Sequence, residues 1–144
     1  ALPRLFLVGE DMIIGIGTDI VEIDRVAKAI KGEAFVKRVF TPAEAEYCHS
    51  RKAGMAASFA GRFAAKEAIM KALGTGLREG SLTELEIIND QLGCPKARLT
   101  GRFGEIAKEK GMTSCHISIS HSMAYATAQC VMEGQEQGKG EEKS

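Results

Sequence analysis

The stretch FAGRFAAKEAIMKALGTG, Phe59 to Gly76, reads as most of one long helix together with its stop. The helix is expected over about residues 56–73; it is rich in alanine, and Gly74-Thr75-Gly76 ends it. Phe63, Glu67 and Lys71 stand four apart and so share one face. Arg62 and Lys66 form a neighbouring row. On a generic helix such a Glu–Lys pair is an exposed ion pair worth about 0.3–0.5 kcal/mol. Here one acid sits among three bases, and the helix runs straight into a glycine turn. Basic side chains around a carboxylate suit a phosphate ester bridged to a hard metal ion, because Mg²⁺ takes one or two carboxylates plus phosphate oxygens and water.

Working outward from this helix, MIIGIGT at Met12 to Thr18 reads as a strand, with Gly15 and Gly17 leaving room for a close approach to the backbone. Ile23, Val26, Ala27 and Ile30 follow at helical spacing, with Arg25, Lys28 and Lys31 outside the stripe. A short helix is expected over Phe35 to Phe40. Thr41-Pro42-Ala43-Glu44 starts another, which runs to about Ser50. Downstream come strands at Glu84 to Asn89 and Lys96 to Leu99, separated by a turn at Gly93-Cys94-Pro95. Gly101 to Lys110 is a short amphipathic helix with Phe103, Ile106 and Ala107 on one side. Ser114 to Ser120 and Tyr125 to Met132 form a hairpin through His121 to Ala124. This mixture predicts one α+β domain over residues 12–133, with a mainly antiparallel sheet packed by helices.

Residues 1–11 lack an initiator Met, and their apolar run is too short for a signal peptide; they are expected to be a disordered leader or cloning remnant. Residues 134–144 are polar and glycine-rich, which predicts a disordered tail. A chain of 144 residues is long enough to bury its own core. Lys plus Arg and Asp plus Glu balance at 19 each, which argues against a dedicated nucleic-acid binder. No apolar run reaches the roughly 20 residues a bilayer span needs, so no membrane and a cytoplasmic location are expected. Cys48, Cys94, Cys115 and Cys130 include no CxxC pair and the histidines lack ligand spacing, which argues against zinc. The thiols read as reduced packing residues.

Two further elements carry chemistry. Asp19 follows GIGT directly; it reads equally as a second metal-type carboxylate or as the cap of the next helix, with Glu22 completing a capping box. In HISISHS, 116–122, strand alternation puts His116, Ser118 and Ser120 on one face and Cys115, Ile117 and Ile119 on the other. Such a polar row can bind phosphates or position a hydroxyl, and more often it is simply the solvated face of an edge strand.

Together, GIGTDIVEIDR, FAGRFAAKEAIMKALGTG and HISISHS occur in the order and approximate spacing of the holo-acyl-carrier-protein synthases of the 4′-phosphopantetheinyl transferase superfamily. The chain resembles that family from Met12 to about Met132, including the Gly-x-Pro turn at Gly93 to Pro95. The resemblance implies a phosphopantetheinyl transferase-like fold. It also implies transfer of 4′-phosphopantetheine from coenzyme A to a serine of an apo acyl carrier protein, releasing 3′,5′-ADP, in fatty acid biosynthesis. Carried onto this sequence, the family's Mg²⁺ carboxylates fall on Asp19 and Glu67. Its basic residues near the coenzyme A phosphates fall on Arg62, Lys66 and Lys71. His116 matches the family's third motif, with Ser118 and Ser120 at its hydroxyl positions, and Gly74 and Gly76 match the turn near the nucleotide. His121 either joins this set or only shapes the hairpin. Glu67 is the first candidate for the base and Asp19 the second, while Lys71 is placed to offset leaving-group charge. Small members of the family are homotrimers with sites at subunit interfaces, so a trimer is expected. An acidic carrier protein is expected to meet Arg25 and Lys28. A Mg²⁺-dependent phosphohydrolase would use the same carboxylates and transfer to water, and a non-catalytic coenzyme A binding module would form no product; product identity separates the three.

Overall fold

The computed structural model describes residues 10–76 and 79–135; the expectations for 1–9 and 136–144 lie outside the described residues. Strand β1 (Met12–Glu22) passes directly into helix α1 (Ile23–Ala29). Helices α2 (Glu33–Val39), α3 (Pro42–Ser50) and α4 (Met55–Leu73) follow. The second half carries β2 (Leu85–Asn89), β3 (Pro95–Leu99), helix α5 (Gly101–Glu109) and the hairpin of β4 (Met112–His121) with β5 (Tyr125–Gly134). The five strands form one sheet in the order β1-β5-β4-β3-β2, with every pair antiparallel. The α+β expectation with an antiparallel sheet is met.

Local chemistry accounts for the element ends. Thr41 caps α3 as expected: its hydroxyl accepts from Glu44 N at 3.2 Å, and Glu44 Oε1 accepts from Thr41 N at 2.9 Å. Gly74 closes α4 with φ +75°, a left-handed turn that disfavours any side chain. Strand β1 runs four residues past the expected end, because Asp19 to Glu22 keep pairing with Ala128 to Tyr125.

Helix α4 lies across the sheet over β1 and β5 and is buried on most sides: Phe59, Ala60, Ala64, Ala65, Ala68 and Ile69 are fully covered. The small side chains let it come down close. A Cβ added at Gly17 would strike the Ala68 carbonyl, and one at Gly15 the Ala72 carbonyl. The sheet face toward α4 therefore carries Gly15, Gly17 and Asp19 of β1, and by register Cys130 and Ala128 of β5 with Ile117, Ile119 and His121 of β4. The opposite face is open, with Ile16 68% and Ile20 61% exposed in β1. Ile16, Val131 and His116 line up across it, as do Ile20, Thr127 and Ser120. Among the described residues no helix is long and apolar enough to cross a membrane.

Candidate active site

Helix α4 has chemistry on two flanks. On the β1 flank, Asp19 reaches toward the helix, and Lys71 Nζ donates to Asp19 Oδ1 at 3.1 Å and to the Thr18 carbonyl at 2.9 Å. Asp19 is thereby a strand residue bound to α4. Helix α1 is capped by Glu22 without a side-chain bond, so the capping-box reading of Asp19 falls away. Glu67 sits one turn before Lys71. Among the described residues its carboxylate has no hydrogen bond or ion pair. Burial pushes the Glu67 carboxyl above the ordinary carboxylate range; the Asp19 charge pushes the same way, and Lys71 pulls back. Two carboxylates close enough for one charge to act on the other, one of them half-buried without a hydrogen bond or ion pair among the described residues, suit a small divalent cation. Among the described residues no group of three or more His, Cys, Asp and Glu could hold a metal. A two-carboxylate set is what Mg²⁺ uses when a phosphate ester and water complete its shell.

Glu67 also borders an apolar cleft of about 370 Å³ with Phe35, Val39, Phe63 and Leu82. A second cleft of about 390 Å³ continues past Phe35 and Phe63 to Val26 and Tyr125, with Arg25 on its rim. At the end of α4, Gly74 and Gly76 have open space where a side chain would be. Between them the Thr75 hydroxyl is buried and among the described residues has no hydrogen-bond partner.

The opposite flank of α4 is basic. Arg62 and Lys71 are nine residues apart, about 180° around a helix of 3.6 residues per turn. Arg62 is only 6% exposed, yet among the described residues it forms no ion pair. Its Nη2 donates to Asn89 Oδ1 at 3.2 Å and its Nη1 to the Ser58 hydroxyl at 3.5 Å, and among the described residues Nε has no partner. A buried guanidinium without a carboxylate is costly unless an anion completes it. The cleft it lines, about 420 Å³, also includes Tyr47, Arg51, Ser58, Asn89 and His121. Its walls come from the start of α4, the β2–β3 turn at Gly93 and Pro95, and the end of β4, where Ile119 packs against Gly61.

Two expectations are corrected within the chain. Lys66 does not reach either flank: it is fully buried, and its ammonium donates to Glu44 Oε1 at 2.9 Å and to the carbonyls of Leu82 and Leu85 at 2.9 and 2.8 Å. All three protons are used, so it is a core cation and not a phosphate ligand. His116, Ser118 and Ser120 lie on the open face, on the far side of the sheet from Asp19 and Glu67; His116 Nε2 is 2.9 Å from Glu133 Oε1. The parity that sends them there turns His121 toward α4 and into the Arg62 cleft. Lys71 pairs with Asp19 and not with Glu67. Arg51, Asn89 and Tyr47 were not foreseen, since they come to Arg62 from elements distant in sequence.

Residues 15–130 match the model of the 4′-phosphopantetheinyl transferase superfamily, and the chain belongs to that family. Among curated proteins it is 49% identical over 125 residues to the holo-[acyl-carrier-protein] synthase of Trichlorobacter lovleyi, covering 85% of this chain and 98% of that one. Among solved structures it superposes on the acyl carrier protein synthase of Plasmodium yoelii with ADP bound, with a TM-score of 0.79, 35% identity, and coverage of 89% of this chain and 100% of that one. It also matches the Bacillus anthracis holo-(acyl-carrier-protein) synthase in complex with CoA (3′,5′-ADP), with a TM-score of 0.72, 37% identity, and coverage of 86% and 99%.

Proposed function

We propose that this chain is a Mg²⁺-dependent holo-acyl-carrier-protein synthase. In this reading it moves 4′-phosphopantetheine from coenzyme A to a serine of an apo acyl carrier protein, in the cytoplasm and for fatty acid synthesis. The observation that carries this reading is the division of charge across α4. One flank has a carboxylate pair of metal type, and the other has a buried guanidinium that lacks an anion. A diphosphate ester needs both. Relatives crystallised with CoA and with ADP supply the chemical class of the ester.

The serine hydroxyl attacks the β-phosphorus of coenzyme A. A new P–O bond forms, the bond from that phosphorus to the bridging oxygen breaks, and the electron pair leaves on the phosphate of 3′,5′-ADP. Asp19 and Glu67 would hold the metal ion, which when bound supplies positive charge to the diphosphate oxygens. Glu67 accepts the serine proton; Asp19 is the alternative acceptor. Lys71 lies beside Asp19 and offsets charge on the departing phosphate. Arg62 and His121 bind a phosphate of the nucleotide, while Gly74 and Gly76 let it approach the backbone. The apolar clefts at Phe35 and Phe63 lie between Glu67 and Arg25. This supports a carrier protein docking on α1 against Arg25 and Lys28, which are exposed.

The two flanks face away from each other within one chain, so one complete site needs two protomers. The open sheet face with Ile16, Ile20 and Val131 suits burial against copies around a threefold axis, with the β1 flank of one protomer meeting the β4 flank of the next. Trimer formation is checked by light scattering at working concentration; a monomer would contradict it.

Intact-protein mass spectrometry of an apo acyl carrier protein, incubated with this chain, coenzyme A and Mg²⁺, tests the activity. A phosphopantetheine mass gain that disappears with chelator supports the reading. Production of 4′-phosphopantetheine in water without any gain on the carrier would replace it with a phosphohydrolase.

A further inference from the structure

The guanidinium of Arg62 is held by a ring of contacts from three elements. Its Nη2 donates to Asn89 Oδ1 at 3.2 Å, and Asn89 Nδ2 donates to the Tyr47 hydroxyl at 3.1 Å. The ring of Tyr47 then lies under the guanidinium, 4.5 Å from its carbon to the ring centroid. The chain thus closes from α4 through β2 to α3 and back to α4. Arg51 also sits over Tyr47, at 5.5 Å. Two guanidiniums near one anion site repel each other when the site is empty. An aromatic face between or beneath them offsets that repulsion through its quadrupole, without supplying a carboxylate that would compete with the anion.

We propose that Tyr47 is a positioning residue for the nucleotide half of the site. It holds Arg62 in two ways, through its ring face and through the Asn89 amide that its hydroxyl orients. Among the described residues it leaves Nε, and the Nη protons not given to Asn89 and Ser58, free for a phosphate. The hydroxyl decides which way the Asn89 amide faces. With Nδ2 held by Tyr47, Oδ1 is turned to accept from Arg62; without that bond the amide can flip and present donors to a cation. This inference rests on the reading of the Arg62 cleft as the coenzyme A phosphate site.

The test is a double-mutant cycle read as KM for coenzyme A and kcat, using Tyr47→Phe, Tyr47→Leu, Arg62→Ala and the combination Tyr47→Leu with Arg62→Ala. Removing the hydroxyl alone raises KM about threefold, and removing the ring raises it about tenfold, with kcat at saturating coenzyme A changed less than about twofold. The decisive arm is the combination. Because Tyr47 acts through Arg62, adding Tyr47→Leu to Arg62→Ala leaves KM where Arg62→Ala alone put it. Multiplying effects, or a loss confined to kcat, would overturn the proposal. So would an unchanged KM in Tyr47→Phe and Tyr47→Leu while Arg62→Ala raises it. If Arg62→Ala itself leaves KM unchanged, the phosphate reading of the cleft fails, and the role of Tyr47 fails with it. Tyr47→Phe keeps the packing of the ring, so this arm remains informative even if the leucine variant does not fold.

Discussion

Replacing Lys66 with methionine separates a core cation from a phosphate ligand. The ammonium has no solvent exposure and spends its three protons on Glu44 and two backbone carbonyls. Burial pulls the Lys66 pKa down, and the Glu44 charge resists that shift. Methionine fills similar volume but strands the fully buried Glu44 carboxylate. Removing one partner of a buried pair costs about 3–5 kcal/mol. For a domain of this size that lowers Tm by roughly 10–15 °C. Thermal melts and urea titrations at neutral pH read this loss, and KM for coenzyme A is measured on the folded fraction. The change lies in stability, with KM within about twofold of the parent. Adding Glu44→Leu recovers much of the loss. About 1–3 kcal/mol remains, because Ile87 N, which donates to Glu44 Oε2 at 2.7 Å, loses its acceptor. Lys66→Met with an unchanged Tm and a tenfold higher KM for coenzyme A would refute this reasoning and return Lys66 to the phosphate site.

Other perturbations follow from the same geometry. Gly17→Ala drives a methyl into the Ala68 carbonyl and costs at least about 1–3 kcal/mol in urea titrations; it also lowers turnover, because the displaced helix carries Glu67. Glu67→Gln acts in the opposite sense on stability. The native carboxyl titrates above its ordinary range, so the native state holds that proton more tightly, and the stabilisation is lost as pH rises through the raised pKa. In chelator near neutral pH the variant therefore melts above the parent. The gap closes toward about pH 4, where both states are largely protonated; a variant that melts lower at neutral pH contradicts this. Arg25→Ala raises KM for an acidic carrier about three- to tenfold at low salt and flattens its salt dependence, while KM for coenzyme A stays unchanged. Equal losses for both substrates would remove Arg25 from the carrier surface.

What was legible in the sequence was what local chemistry settles. Thr41-Pro42-Ala43-Glu44 carries its cap within four residues, Gly74 marks a left-handed stop, and the β4–β5 alternation sorts its own faces. Asp19 and Glu67 were legible as a pair because both stand in distinctive segments. The destination of Lys66 was not. It is one residue from Glu67, about 100° around the helix, and only Glu44, from α3, and the carbonyls of Leu82 and Leu85 make its side the interior. The histidines show the same limit. Alternation separates His116 from His121, but which of the two faces α4 depends on β1 pairing with β5 at the far end of the chain. The Arg62 cleft has no local signature, since Tyr47 and Asn89 meet only after the sheet and α3 have docked on α4.

The central claim is that one transferase site joins the Glu67 flank of one protomer to the Arg62 flank of the next. Coexpression of differently tagged Arg62→Ala and Glu67→Gln chains, with phosphopantetheine transfer to carrier protein followed by mass, tests it directly. At coenzyme A well below the raised KM of Arg62→Ala, each variant alone is expected to be nearly inactive. Random mixing in a cyclic trimer gives an intact site at about one position in four, so about a quarter of parent activity returns. No recovery from mixed assemblies in which both chains are folded and associated would contradict the shared site.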